Sequence, residues 1–335
     1  MASIKIYRDA DADLSVLAGK KIAVIGYGSQ GRAQARMLHE SGVDVCVGAR
    51  ENGKSWKQAL EDGLSVFSIS EAAQKADIIH LLIPDEIQKS VYDAHIQSHV
   101  SPGKILSFSH GFNIVFKRIV PPKNVGVILI APYAPGPEAY RLYREGVGVP
   151  ALIAVEQDTS ANTGRGVALA MAQAMKFTTA GVLEGTFTQE THQDLFGEQV
   201  VLCGGVPSLM KAAMETLIEA GYPPELAYLE CITQMKLIIN LIEQGGFASM
   251  FEKISNTAEY GAHTRGPRLI TPETKYTMKE ILNEIQDGRF ANEWMKEVEQ
   301  NQMKNLLEMR HKTAEDQTEK ARRSIDTMFN NKPTS

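Results

Sequence analysis

The hydrophobic pattern divides the chain in two. Up to about residue 182, short apolar runs recur at 22–25, 43–47, 78–83, 105–108, 125–130 and 151–155, each bounded by glycine, proline or polar clusters. Stretches of helical period, such as 32–40 and 167–175, lie between them. Continuous apolar runs that alternate with helices predict an α/β fold, a doubly wound parallel sheet whose strands are buried on both faces. From about 183 the strand signals stop. Helical patterns take over at 188–202, 207–220, 224–244, 246–260, 272–287 and 291–310. The expected organisation is a Rossmann-like domain over 1–182, an all-helical domain over 183–328 and a flexible tail over 329–335.

The first strand leads into the sharpest local motif, KKIAVIGYGSQG at 20–31. Gly26, Gly28 and Gly31 have the G-x-G-x-x-G spacing, and a helical pattern follows at once. Strand, glycine turn and helix together predict a dinucleotide site. The glycines allow a tight turn, a close approach of the pyrophosphate and close helix–strand packing, and the helix N-terminus faces the phosphates. Tyr27, Ser29 and Gln30 lie within the same turn. After the second strand, Arg50, Lys54 and Ser55 offer two cations and a hydroxyl where such folds read the adenosine ribose, which favours NADPH. Glu51 in the same loop could accept from a ribose hydroxyl and keeps NADH open.

Three later strand ends carry polar residues: Asp85 after 78–83, His110 after 105–108 and Tyr133 after 125–130. Ligands of open α/β sheets sit outside these carboxyl ends, so each is a candidate for the cofactor or substrate crevice. In the helical half, Glu190, Asp194 and Glu198 recur every four residues and fall on one helix face. Like charges at this spacing repel, and a hard divalent cation such as Mg2+ would reward them; a solvated acidic face is the plainer alternative. Glu230 interrupts an apolar helix and calls for a partner, which Lys236, a metal or a subunit contact could supply.

Composition narrows the class further. The chain has 335 residues, 43% hydrophobic and 22% charged, with a net charge of −5. That balance gives no electrostatic case for nucleic acid or an anionic membrane. No uninterrupted run of 18 apolar residues exists, so no membrane span is expected. Cys46, Cys203 and Cys231 match neither a metal spacing nor a disulfide framework, and a cytoplasmic location is the default.

Together these residues resemble the ketol-acid reductoisomerase (acetohydroxy-acid isomeroreductase) family in its short form. The likeness runs from Tyr7 to about Arg310, on IGYGSQG at 25–31, SHGFNI at 109–114, DLFGEQVVLCGG at 194–205, EAGY at 219–222 and ISNTAEYG at 254–261. The resemblance implies a Mg2+-dependent alkyl migration in a 2-acetolactate-type acetohydroxy acid. Reduction by NADPH to a 2,3-dihydroxy acid follows, in branched-chain amino-acid biosynthesis. It implies Asp194 and Glu198 as metal ligands, Glu190 as a supporting catalytic acid, Glu230 and position 234 as ligands reaching in from a second subunit, and Ser255 on the substrate. It also implies His110 at the nicotinamide end, Asp85 and Gln88 on the cofactor side, a knotted helical domain and an intertwined homodimer, with larger assemblies open.

The chain departs from the family pattern at several positions. Tyr133 stands at the family's catalytic lysine, Gln234 at its second glutamate ligand, Pro137 at a histidine and Lys253 at a serine. Gly53 stands where a phosphate-binding serine is common. Lysine to tyrosine removes one positive charge and glutamate to glutamine one negative charge, which leaves the net unchanged if both face one cavity. Two alternatives follow: a paralogue that reduces a 2-keto acid or an imine without isomerisation, and a non-catalytic NADPH-binding protein.

Overall fold

The computed structural model describes residues 4–159 and 161–330. The tail expected from 329 lies outside them beyond 330, while Phe329 and Asn330 close a helix, Gln317–Asn330. The chain forms two compact units, Met1–Gln193 and Asp194–Ser335.

The first unit is built on nine strands: β1 (Ile6–Tyr7), β2 (Lys21–Ile25), β3 (Asp44–Gly48), β4 (Ser65–Phe67), β5 (Ile78–Leu81), β6 (Ile105–Phe108), β7 (Gly126–Pro132), β8 (Ala151–Gln157) and β9 (Val182–Glu184). Their order is β1-β9-β8-β7-β6-β5-β2-β3-β4. The sheet is mixed rather than wholly parallel, because β8 runs antiparallel to β7 and β1 antiparallel to β9. β1, β4 and β9 are too short to leave a hydrophobic signature. From β2 the chain first builds outward through β3 and β4, then returns to build from β5 through β7 on the other side. The switch between β2 and β5 is where such a sheet opens a crevice.

Alternation along each strand sorts the core into two faces. Ile22, Val24, Val47, Ile78 and Ile128 pack with Met37 and Leu38 of helix α1 (Ser29–Glu40). Ala23, Ile25, Ile79, Leu81 and Phe108 pack on the opposite face with Ala72, Tyr92 and Phe187. Both faces are covered, which is why the strands read as unbroken apolar runs.

His80 is the exception in β5. It is fully buried on the α1 side, paired in register with Val24 and Ser107. Burial pushes its pKa down from 6.5 to about 4, so the ring is held neutral. Its contribution to stability is complete above pH 6.5 and is lost as pH falls toward about 4, a loss of about 3 kcal/mol. Urea unfolding at pH 7.5, 6, 5 and 4 checks this, with a His80→Met variant losing the dependence in that window; an equal slope in both proteins would exclude His80 as its source.

The second unit is helical, with helices Gly205–Glu219, Pro224–Tyr228, Met235–Glu252, Asn256–Leu269, Pro272–Gln286, Arg289–Glu299, Lys304–Ala314 and Gln317–Asn330. Two π-helical turns, Gly197–Leu202 and Leu229–Thr233, interrupt what the sequence suggests are plain helices. Gly246 adopts φ 74° and kinks its helix, which runs on to Glu252; the next helix starts only at Asn256, so no single helix covers 246–260. The expected helix over 291–310 breaks at Gln302 and Met303, both with positive φ. Among the described residues of this unit, the large buried side chains include Leu195, Val200, Met214, Met250, Ile285 and Met295, while Leu202, Leu226, Leu237 and Phe247 are exposed.

One described stretch, Phe187–Glu219, is long and apolar enough by length and composition to cross a bilayer. The expectation of no span counted uninterrupted apolar residues. The helical run pools apolar residues from either side of the π turn, and it also carries Glu190, Asp194 and Glu198.

Candidate functional site

The glycine turn closes β2 at the switch point. Gly26 has φ 98°, and a Cβ there would lie 2.6 Å from Ile83 Cγ2 and 2.9 Å from the Leu82 carbonyl oxygen, so no other residue fits. A Cβ on Gly28 would meet no protein atom, and Gly28 lines a cleft of about 540 Å³. The first glycine therefore serves the fold, and the second leaves room for a ligand backbone.

The cleft is lined by Tyr27, Ser29, Arg32, Arg36, Lys54, Ser55, Pro137 and Tyr140, among others. Ser29, Arg32, Ala33 and Arg36 form one face of α1, the spacing that would have located them once Gly28 was placed. Asp62 accepts from Arg32 at 2.7 and 3.0 Å and from the Tyr27 hydroxyl at 2.8 Å. The Arg32 guanidinium holds the Asp62 carboxyl below its usual range. Arg36 lies over the Tyr140 ring, 4.0 Å from its centre. Lys54 and Ser55 open helix α2 (Lys54–Glu61) at the cleft edge, whereas Arg50 is exposed on the preceding loop.

A second cluster forms at the ends of β5 and β6. His110 Nδ1 lies 3.0 Å from Glu190 Oε1, and its Nε2 lies 4.0 Å from Asp85 Oδ2. Glu190 is only 7% exposed and is anchored through Oε2 by the Gly111 amide at 3.0 Å and the Thr191 hydroxyl at 3.1 Å. A carboxylate only accepts, so Glu190 fixes the proton on Nδ1 and leaves Nε2 to exchange one. Gln88 is buried and braces this cluster: its amide donates to the Ile83 carbonyl and to Asp85, and its oxygen accepts from Asn113. Gln30 likewise spends its amide on the Ala134 carbonyl at 2.9 Å. Tyr133, at the end of β7, is 59% exposed, and its backbone amide donates to Pro150.

In the helical unit Asp194 is exposed, one helical turn after Glu190, and Glu198 is half-buried in the first π-helical turn. Glu230 occupies the second such turn and is exposed. Turns of this kind are rare and concentrate at functional positions. Gln234 donates its amide to Glu230 Oε2 at 2.7 Å. Ser255 is the N-cap of the helix Asn256–Leu269 and accepts from the Ala258 amide, so its own hydroxyl proton remains to donate.

Comparison with known proteins covers nearly the whole chain. Residues 16–181 match the family model for the acetohydroxy acid isomeroreductase NADPH-binding domain, and 187–331 match that for the ketol-acid reductoisomerase C-terminal domain. A ketol-acid reductoisomerase (NADP(+)) of Methanosphaera stadtmanae is 52% identical, over 96% of this chain and 97% of its own. A ketol-acid reductoisomerase (NAD(+)) of an uncultured archaeon is 50% identical over 97% and 99%. The solved structure of an NADH-preferring ketol-acid reductoisomerase from an uncultured archaeon superposes with a TM-score of 0.94 at 51% identity, covering 97% of this chain and 99% of that one.

Proposed function

The chain belongs to the ketol-acid reductoisomerase family, and we propose that it carries out that family's reaction. In that reaction a 2-acetolactate-type acid undergoes Mg2+-dependent alkyl migration and NADPH-linked reduction to a 2,3-dihydroxy acid, within branched-chain amino-acid biosynthesis. The observation that carries this is the full-length identity to named reductoisomerases, together with an intact glycine turn and the Glu190–His110 pair.

Asp194, Glu198 and Glu230 fit a Mg2+ site in donor chemistry, since all offer hard carboxylate oxygens on elements open to solvent. These carboxylates would hold Mg2+, which would supply Lewis-acid polarisation, and the cleft beside Gly28 would hold NADPH as the source of hydride. The chain's own residues do the rest. Gly28 and the start of α1 take the pyrophosphate. Glu190 holds His110 in one tautomer, so that Nε2 gives or takes the proton at the reacting oxygen. Ser255 donates to the substrate.

Lys54, Ser55 and Arg50 support NADPH, with Arg36 available to the adenine end. Ser55→Asp is expected to raise the Kd for NADPH by about 100-fold through repulsion of the 2′-phosphate, while NADH binding changes by less than about threefold. Fluorescence titration with both cofactors checks this; equal weakening of both would remove Ser55 from phosphate recognition.

The helical unit's apolar surface supports a homodimer. Leu202 and Phe247 are 69% and 67% exposed, large apolar side chains that a second copy could cover.

A second reading rests on Tyr133 and Gln234. A phenol replaces a cation, and an amide is a weaker Mg2+ ligand than a carboxylate. Alkyl migration depends most on two metals, so a chain built this way would reduce a 2-keto acid while isomerising slowly. Complementation of a strain that makes neither valine nor isoleucine separates the two. Growth supports the family reaction; no growth from a soluble, NADPH-binding protein supports reduction alone.

A further inference from the structure

The α1 face of the sheet is mainly apolar and carries a buried polar thread. His80 Nε2 lies 2.8 Å from Gln34 Oε1. The Gln34 amide donates to Ser109 Oγ at 2.9 Å and to Gln30 Oε1 at 3.1 Å. Ser109 Oγ donates to the Ile130 carbonyl at 2.9 Å, and Gln30 donates to the Ala134 carbonyl at 2.9 Å. His80 and Gln34 are both fully buried.

The orientation of the Gln34 amide sets the proton directions. Both Gln34 amide protons are spent on oxygens, so its carbonyl faces His80, and His80 must donate from Nε2. Every bond then runs the same way, from His80 toward the carbonyls of Ile130 and Ala134, and each strengthens the next. The thread touches four places at once: the β5 interior, the glycine turn at Gln30, the residue before His110, and the two sides of Tyr133. The Tyr133 loop is pressed on the glycine turn as well, since a Cβ on Gly136 would lie 2.1 Å from the Ser29 carbonyl oxygen. Such a thread costs desolvation that an apolar pair at 34 and 80 would avoid.

We propose that His80, Gln34 and Gln30 are positioning residues that couple the dinucleotide turn to the segments 109–110 and 130–134, so that cofactor binding sets His110 and Tyr133 for the reaction. The reaction itself is the one proposed above, and the coupling is tested in a way that does not depend on it. The double variant Gln34→Leu/His80→Leu removes both partners of the buried 2.8 Å bond, while Ser109 and Gln30 keep their bonds to the Ile130 and Ala134 carbonyls. In the full-length wild type, NADPH slows amide hydrogen exchange in both 26–31 and 130–137. In the double variant it slows 26–31 alone. With 2-acetolactate and Mg2+, kcat of the double variant falls about 10-fold at little change in KM, and the isotope effect from 4-deuterated NADPH rises, because a misplaced hydride acceptor makes transfer limiting. His80→Gln, which keeps a donor toward Gln34, restores kcat to within about threefold.

A merely structural thread predicts otherwise: a lower Tm, with NADPH protection of 130–137, kcat and isotope effect all as in the wild type. That result would overturn the proposal. A wild-type protein that binds NADPH and protects 130–137 but does not turn over acetolactate would count against the proposed reaction and still support the coupling.

Discussion

Replacing Glu190 with alanine lowers kcat by about 10²- to 10³-fold while leaving the Kd for NADPH within about twofold. Glu190 is not among the residues that line the cleft proposed for the dinucleotide, so binding is expected to be spared. Catalysis is not. Glu190 sets the Nδ1 proton of His110 at 3.0 Å and is itself fixed by the Gly111 amide. Without it the imidazole can rotate and exchange tautomers, and the Gly111 amide and Thr191 hydroxyl lose their acceptor inside the fold. Glu190→Gln is expected to lose nearly as much, because its amide group cannot accept from Nδ1, Gly111 and Thr191 together. Steady-state kinetics with a parallel NADPH titration check this. A variant that keeps more than a fifth of wild-type kcat would remove Glu190 from the proton path.

Introducing a charge at Phe247 (Phe247→Asp) is the second large effect. It halves the mass in solution and lowers activity by about 10²-fold. Among the described residues, a compact apolar cluster of the helical unit contains Met214, Ala227 and Ala321. Leu202, Leu226, Leu237 and Phe247 remain outward, and covering each is worth about 1.5–3 kcal/mol. A second copy could cover them and, on the family pattern, would bring Glu230 to the proposed Mg2+ site. A carboxylate buried in the proposed interface without a partner would carry its desolvation penalty. Light scattering and activity measured on the same samples check this. A variant of unchanged mass, or a fully active monomer, would count against the dimer.

Much of the sheet unit was legible in the sequence because its signals are local. Ile105–Phe108 is a strand with the bounds that its apolar run gives, and Gly26, Gly28 and Gly31 occupy the turn that their spacing implies. The direction of β8 was not legible. It depends on how 133–150 returns the chain, which no hydrophobic period encodes. The pairing of His110 with Glu190 spans 80 residues; the resemblance gave each a role, but no local signal joins them. Arg32 and Arg36 were in plain view but unremarked, since a helix face acquires meaning only once the ligand side of the turn is known. In the helical unit, Gly246, Gln302 and Met303 break elements through backbone conformation, which apolar periodicity does not report.

The central claim is that this chain both rearranges and reduces. It is tested by giving the purified protein 2-acetolactate, Mg2+ and NADPH, and following NADPH oxidation alongside product analysis. The proposed function predicts one NADPH oxidised per acetolactate consumed, with a 2,3-dihydroxy acid as product and no turnover after chelation of Mg2+. The contradicting result is a protein that binds NADPH and reduces the 3-hydroxy-2-keto acid that migration would produce, yet leaves acetolactate untouched.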